Sequence, residues 1–136
     1  EIIFGKSYPK VYEHEKVEVD EYIGSSKKTI IFAISDGEVI GQIVIKSNWN
    51  QFCFIDDIAV RRIARQRGVA SALINKAKDW AVKNNLKGFM LETQDINLAA
   101  CRLYIKNGFE LGSVDTFLYS NFDTKEEKAL IWYKKF

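Results

Sequence analysis

Four of the chain's five arginines, Arg61, Arg62, Arg65 and Arg67, stand within seven positions. Gly68 follows them, and then Val69, Ala70 and Ser71. Guanidinium groups donate paired hydrogen bonds in a planar fork that matches phosphate oxygens. Small residues let a ligand come close to the backbone. If a helix starts here, its unpaired N–H groups and its dipole attract an anion as well. The stretch Arg65, Gln66, Arg67, Gly68, Val69, Ala70 and Ser71 is therefore expected to bind a pyrophosphate. A basic loop that is merely solvated is the competing reading. The phosphate-loop pattern GxxxxGK[ST] is absent, and so is GxGxxG.

A second cluster runs from Glu92 to Phe109. In it Asn97, Ala100, Tyr104, Gly108 and Phe109 form the pattern N-x-x-A-x-x-x-Y-x-x-x-G-F. Asn97, Ala100 and Tyr104 are three and four apart, so they share one face of a helix. A small alanine between two polar groups leaves room for a ligand along that face. The plain alternative makes Tyr104 core and Asn97 a helix cap. Asp56 and Asp57 are the other acids of interest, set in an otherwise apolar strand. They are costly there unless they face a groove or a partner. Alternation points them to opposite faces, so at most one should reach a substrate directly unless a bulge intervenes. Pairing of one with an arginine of the loop is the alternative.

These residues must be held by elements that the hydrophobic pattern describes. Thr29–Ser35 and Glu38–Ser47 read as strands joined by a primed turn at Asp36-Gly37. Asn48–Gln51 is the next turn, leading into a strand over Phe52–Val60, mostly apolar and rich in β-branched residues. Three strands joined by tight turns make an antiparallel meander. From Val69 to Trp80 the apolar residues fall three or four apart, which is helical, and Asn84-Asn85 ends the helix. Gly88–Thr93 is a strand, so the strand–helix–strand unit predicts a parallel crossover. Asn97 caps a helix over Leu98–Asn107, with Gly108 just beyond it. Phe109–Gly112, Val114–Tyr119 and Ala129–Phe136 read as closing strands, with a charged turn at Asp123–Lys128. Glu1–Tyr22, with Pro9 and His14, reads as a short helix or loop.

The chain has 136 residues, 47% hydrophobic and 28% charged. That length fits one domain with one core, and the composition is globular. A net charge of +2 makes no global basic field, so nucleic acid is not an expected partner. Cys53 and Cys101 lie inside apolar patterns and read as buried free thiols. One histidine and no paired-cysteine motif give no metal site. No apolar run approaches the roughly 18 residues of a membrane span, and no signal peptide is visible, so cytoplasm is the expected compartment.

Taken together, the two clusters resemble the GNAT superfamily of N-acetyltransferases. The family's acyl-coenzyme A loop, Gln/Arg-x-x-Gly-x-Gly/Ala, is matched by Arg65, Gly68 and Ala70. Its later motif, an Asn leading to a Tyr and a Gly-Phe pair, is matched by Asn97, Tyr104, Gly108 and Phe109. The match runs from Thr29 to Phe136. The resemblance implies an α/β (α+β) fold with a mixed, mostly antiparallel central sheet flanked by helices and a β-α-β acyl-CoA-binding core. It implies acetyl-CoA as co-substrate and no metal. Backbone groups of Ile58, Ala59 and Val60 would pair with the pantetheine arm, and the amides from Arg65 to Ser71 would hold the pyrophosphate. Asn97 and Ala100 would line the cofactor. Tyr104 would sit near the thioester sulfur and protonate the departing thiolate. Glu92, twelve residues earlier, stands where some members carry a general base, with Asp56 and Asp57 as competing carboxylates for that role.

Within the superfamily, LETQDINLAACRLY, IDDIAV and the ending ALIWYKKF are similar to the streptothricin acetyltransferases. That likeness implies transfer of an acetyl group to the β-lysine amino group of an antibiotic, which confers resistance. A polycationic acceptor wants acidic groups, and Asp56, Asp57, Glu92, Asp95 and Asp115 are available, with Trp49, Tyr119 and Trp132 as possible aromatic walls. The family carries a further strand and helical segment before the hairpin, so the expectation is one N-acetyltransferase domain over residues 1–136 short of part of its N-terminal segment. Other acceptors stay open: a protein N-terminus, a polyamine or an aminoglycoside. So does a non-catalytic acyl-CoA-binding module. The sequence does not choose between monomer and homodimer.

Overall fold

A computed structural model of the chain describes residues 27–136. The reading of Glu1–Tyr22 as a short helix or loop lies outside the described residues. Six strands and two helices follow in the order β1 (Lys28–Ser35), β2 (Glu38–Ser47), β3 (Cys53–Val60), α1 (Val69–Lys83), β4 (Gly88–Gln94), α2 (Leu98–Lys106), β5 (Glu110–Asp115) and β6 (Ala129–Lys135). They form one sheet of order β1-β2-β3-β4-β6-β5. All neighbours are antiparallel except β3 and β4, which are parallel. This is the mixed, mostly antiparallel α/β fold that the sequence predicts.

The β1–β2 turn shows how local chemistry sets register. Asp36 and Gly37 have φ of 51° and 78°, both left-handed, and Ser35 faces Glu38. Positive φ at both central positions defines the primed turn whose twist matches the strands. The helices share one face of the sheet. Gly41 of β2 faces Val69 and Leu73 of α1. Ile43 and Ile45 alternate with it on that face and are fully buried. From α2 and its end, Tyr104 and Phe109 pack against Trp132 and Phe89. Phe89 is the register partner of Cys53, so it lies on the same side as α1. The indole of Trp132 is core, donating to Thr93 Oγ1 at 3.0 Å.

The two closing strands expected over Phe109–Gly112 and Val114–Tyr119 are in fact one strand, β5, with a register shift between Leu111 and Ser113. Gly112 is the extra residue, and a Cβ there would meet the Tyr133 ring at 2.3 Å. The strand stops at Asp115 because its carboxylate accepts from the N–H groups of Phe117 (2.9 Å) and Leu118 (3.0 Å). A local side-chain acceptor competes with the ladder and bends the chain. The apolar residues Phe117 and Leu118 suggested a strand, but this turn overrides their propensity.

Gly88 gives a stability test. A Cβ built on it lies 2.5 Å from Lys134 O and 3.0 Å from Lys135 Cα, both backbone atoms of β6. Gly88→Ala is expected to cost about 1–3 kcal/mol by overpacking, read as a lower urea midpoint. Gly37→Asn, at a left-handed turn position with open space around it, should move that midpoint far less.

Candidate active site

The basic turn is built at the end of β3. Arg61 N–H donates to Ile40 O at 2.8 Å, and a short 3-10 turn over Arg62–Ala64 buries Ala64 and redirects the chain. Gln66 and Gly68 then adopt left-handed φ of 61° and 77°, on either side of Arg67. No side chain caps the start of α1. Its first bond back is Ala72 N–H to Gly68 O, 2.9 Å, so the amides of Val69, Ala70 and Ser71 are outside the helical ladder. A Cβ on Gly68 would meet nothing within 4 Å, so the space before these amides is open. Arg61 forms a surface ion pair with Glu38 at 3.4 Å. Arg65 reaches back toward Val60 O, 3.5 Å from its Nε, while Gln66 and Arg67 are exposed.

Asn107 was not singled out in the sequence. Its Nδ2 donates to Leu103 O (2.8 Å) and to Ser71 Oγ (3.2 Å), tying the end of α2 to the start of α1. Its place just before Gly108 at a helix end was the only clue.

Parallel strands β3 and β4 are in register at two positions only, Cys53 with Phe89 and Phe54 with Met90. Beyond them, among the described residues, no strand pairs with that edge of β3. Ile58, Ala59 and Val60 lie on this stretch and are buried. Asp56 and Glu92 each stand two residues past the last registered pair. On the other edge of β3, Val44 faces Asp57 while Ile45 faces Ile55, so Asp56 is the extra residue of a bulge. Asp56 pairs with Lys46 at 3.4 Å, and Asp57 accepts from Gln42 Nε2 at 3.1 Å. Gln42 and Lys46 share one face of β2, the face away from the helices. Both carboxylates are therefore reached from that face. The opposite-face expectation is corrected by the bulge, which resets the alternation. Glu92 lies between Leu91 and Thr93, whose partners Trp132 and Leu130 alternate in the same way, so it too is on the helix-free face.

Tyr104 lies on the helix face. It is 3% exposed, and its neighbour Ala100 is fully buried. Asn97 caps α2, its Oδ1 accepting from Ala100 N–H at 3.2 Å. The Asn97–Ala100–Tyr104 face is therefore turned toward the sheet, with Ala100 and Tyr104 buried. Burial pushes the Tyr104 phenol well above its ordinary range, and the charge of Asp57 adds to the shift. Tyr119, a candidate for an aromatic wall, instead donates its phenol to Glu92 Oε2 at 2.5 Å. Trp49 stands apart. It is 90% exposed on the turn before β3, the end of the strand remote from the basic turn. Cys53 is fully buried, its thiol pushed up to about 12 by burial and by Asp56. Cys101 is half-buried, with Sγ 3.8 Å from Thr93 Oγ1. Among the described residues no three His, Cys, Asp or Glu side chains cluster as a metal site. No helix among them is long and apolar enough to cross a membrane.

An uncapped helix start, a parted pair of parallel strands and a buried tyrosine beyond them make up the site, and the comparisons with known proteins give its class. The chain belongs to the acetyltransferase (GNAT) family, whose sequence model matches residues 2–109. It is 47% identical to streptothricin acetyltransferase A of Bacillus subtilis (strain 168), over 98% of this chain and 76% of that one. It is 43% identical to a streptothricin acetyltransferase of Escherichia coli, over 74% of this chain and 59% of the other. A crystal structure from Bacillus anthracis str. Ames, assigned as a streptothricin acetyltransferase in complex with acetyl coenzyme A, superposes with a TM-score of 0.87 at 41% identity, covering 93% of this chain and 73% of that one.

The state of Tyr104 can be read directly. Its raised folded-state value means that the phenol stays protonated while exposed tyrosines ionise. The stability it contributes is present below the unfolded value near pH 10 and is lost as pH rises through the folded one. In an ultraviolet titration of the native protein, one phenolate step is expected only at strongly alkaline pH. That step should vanish in Tyr104→Phe.

Proposed function

We propose that this protein moves an acetyl group from acetyl-CoA to a primary amine of a cationic small molecule, the β-lysine amino group of streptothricin. The observation that carries this reading is the sidedness of the site. The amides of Val69, Ala70 and Ser71 and the guanidinium groups of Arg65 and Arg67 suit a diphosphate on one side of the parted strands. Asp56, Asp57 and Glu92 suit an ammonium-rich acceptor on the other. The acceptor's identity is drawn from the streptothricin acetyltransferases that the chain resembles over most of its length.

The residues then divide the work. Ser71 and Asn107 set the helix start against the pyrophosphate, with Gly68 and Gln66 shaping its approach. The free edge of β3 at Ile58, Ala59 and Val60 offers backbone groups to the pantetheine amides. An alkyl amine with a pKa of about 10.4 is mostly protonated at pH 7, a handicap of roughly 4 kcal/mol. Glu92 takes that proton directly or through a water. The amine nitrogen bonds to the acetyl carbon, the carbon–sulfur bond breaks, and Tyr104 gives its proton to the departing thiolate. Asp56 and Asp57 hold the acceptor's other cationic groups. No covalent enzyme intermediate is needed. Trp49 contributes only at the far rim of the acceptor.

A mass-spectrometric assay tests the reading. Purified protein with acetyl-CoA and streptothricin should yield the monoacetylated antibiotic. Product from a peptide N-terminus, a polyamine or an aminoglycoside, with none from streptothricin, would replace this acceptor. Tyr104→Phe should lower kcat by about a hundredfold, as loss of a general acid does, while acetyl-CoA affinity changes little. Turnover unaffected in both Tyr104→Phe and Glu92→Gln would leave only an acyl-CoA-binding module. Arg65→Ala should act in the other direction, raising the acetyl-CoA KM more than it lowers kcat.

A further inference from the structure

We infer that Tyr119 is a positioning residue for the reaction: its phenol orients Glu92 so that a single carboxylate oxygen faces the acceptor amine. The inference rests on Glu92 serving as the base. From Glu110 to Asp123 every residue is exposed except Tyr119, which is 3% exposed. The segment is pinned around it. Asp115 Oδ1 turns the chain at Phe117 and Leu118. At the far end Lys128 N–H donates to Asp95 Oδ1 at 3.0 Å, and Asp95 N–H returns a bond to Lys128 O at 2.9 Å. These anchors bring one side chain inward onto the helix-free face of β4. There Tyr119 Oη donates to Glu92 Oε2 at 2.5 Å.

A phenylalanine would supply the same ring to hold the loop. The hydroxyl therefore has a separate use, and in the site it donates to Glu92. An O–H donor this close to a carboxylate is in the range of a charge-assisted bond. It engages Oε2 and stops the carboxylate from rotating, so Oε1 alone is left to accept a proton. Fixing the acceptor of a proton before the encounter lowers the entropic part of the barrier. Tyr119 neither gives nor takes the transferred proton in this arrangement.

The experiment is steady-state kinetics with acetyl-CoA and streptothricin on Tyr119→Phe, Glu92→Gln and the double variant. Tyr119→Phe keeps the ring and is expected to fold. Its kcat should fall by about tenfold to a hundredfold, the effect of one hydrogen bond to a charged group. Its acetyl-CoA KM should stay near that of the parent, a split between kcat and KM that loss of loop structure would not give. Adding Tyr119→Phe to Glu92→Gln should cost little more than Glu92→Gln alone. A slow Glu92→Gln beside a Tyr119→Phe of parental kcat overturns the inference and leaves the base assignment standing. Parental turnover in Glu92→Gln overturns the base assignment itself, and the inference with it.

Discussion

The constraint on which this structure depends is that two parallel strands stay paired for only two residues and then separate. Phe54 and Met90 are the last registered pair. A continuous ladder would satisfy more backbone groups, and unpaired buried peptide groups are costly. The sheet bears that cost in one place, and the rest of the fold supports it. On the β3 side the antiparallel meander fixes the strand through Cys53–Val60. On the β4 side β6 pairs along the whole of Gly88–Gln94. Each strand is held by its outer neighbour, so the two can part without losing register. Gly88, packed directly against Lys134 O, shows how closely the β4–β6 pair must approach.

Separation of the strands also divides the electrostatics. The helices, with the open N-terminus of α1, cover one face, and the carboxylates of Asp56, Asp57 and Glu92 sit on the other. Open backbone amides and a group of carboxylates thus stand on opposite faces of one sheet, environments of opposite sign. The bulge at Asp56 is central to this division. Without it, alternation would turn one of the two aspartates into the apolar layer beneath α1, where an unpaired charge is expensive. The negative face then acts back through the sheet, because the Asp57 charge helps to keep the buried Tyr104 phenol neutral. A neutral phenol is the form that can donate a proton.

The two helices meet the site by different means. α1 offers backbone amides, arranged by left-handed residues at Gln66 and Gly68. α2 offers a side chain, Tyr104, from its inner face. Asn107 fastens the end of one to the start of the other through Ser71. A displacement of α2 would thus carry the phenol and the start of α1 together. This coupling depends on the neutral amide of Asn107 donating to both Leu103 O and Ser71 Oγ.

Much of the architecture was determined by sequence alone, and for local reasons. The Asp36-Gly37 turn, the capping Asn97, the arginine-rich turn before Gly68 and the change from period two to period three or four each depend on residues close in the chain. The breadth of β5 was misread because the Asp115 side chain, not the apolar pattern, decides where that strand stops. What the tertiary structure alone decided is which of these residues face each other. The bulge that puts Asp56 and Asp57 on one side depends on a partner strand. The reach of Tyr119 to Glu92 spans 27 positions and a strand between. The bond from Asn107 to Ser71 spans 36. Residue type and spacing describe what a side chain can do and which way a single element turns it. Only the pairing of distant segments fixes its neighbour, because that choice is made by the packing of the whole sheet.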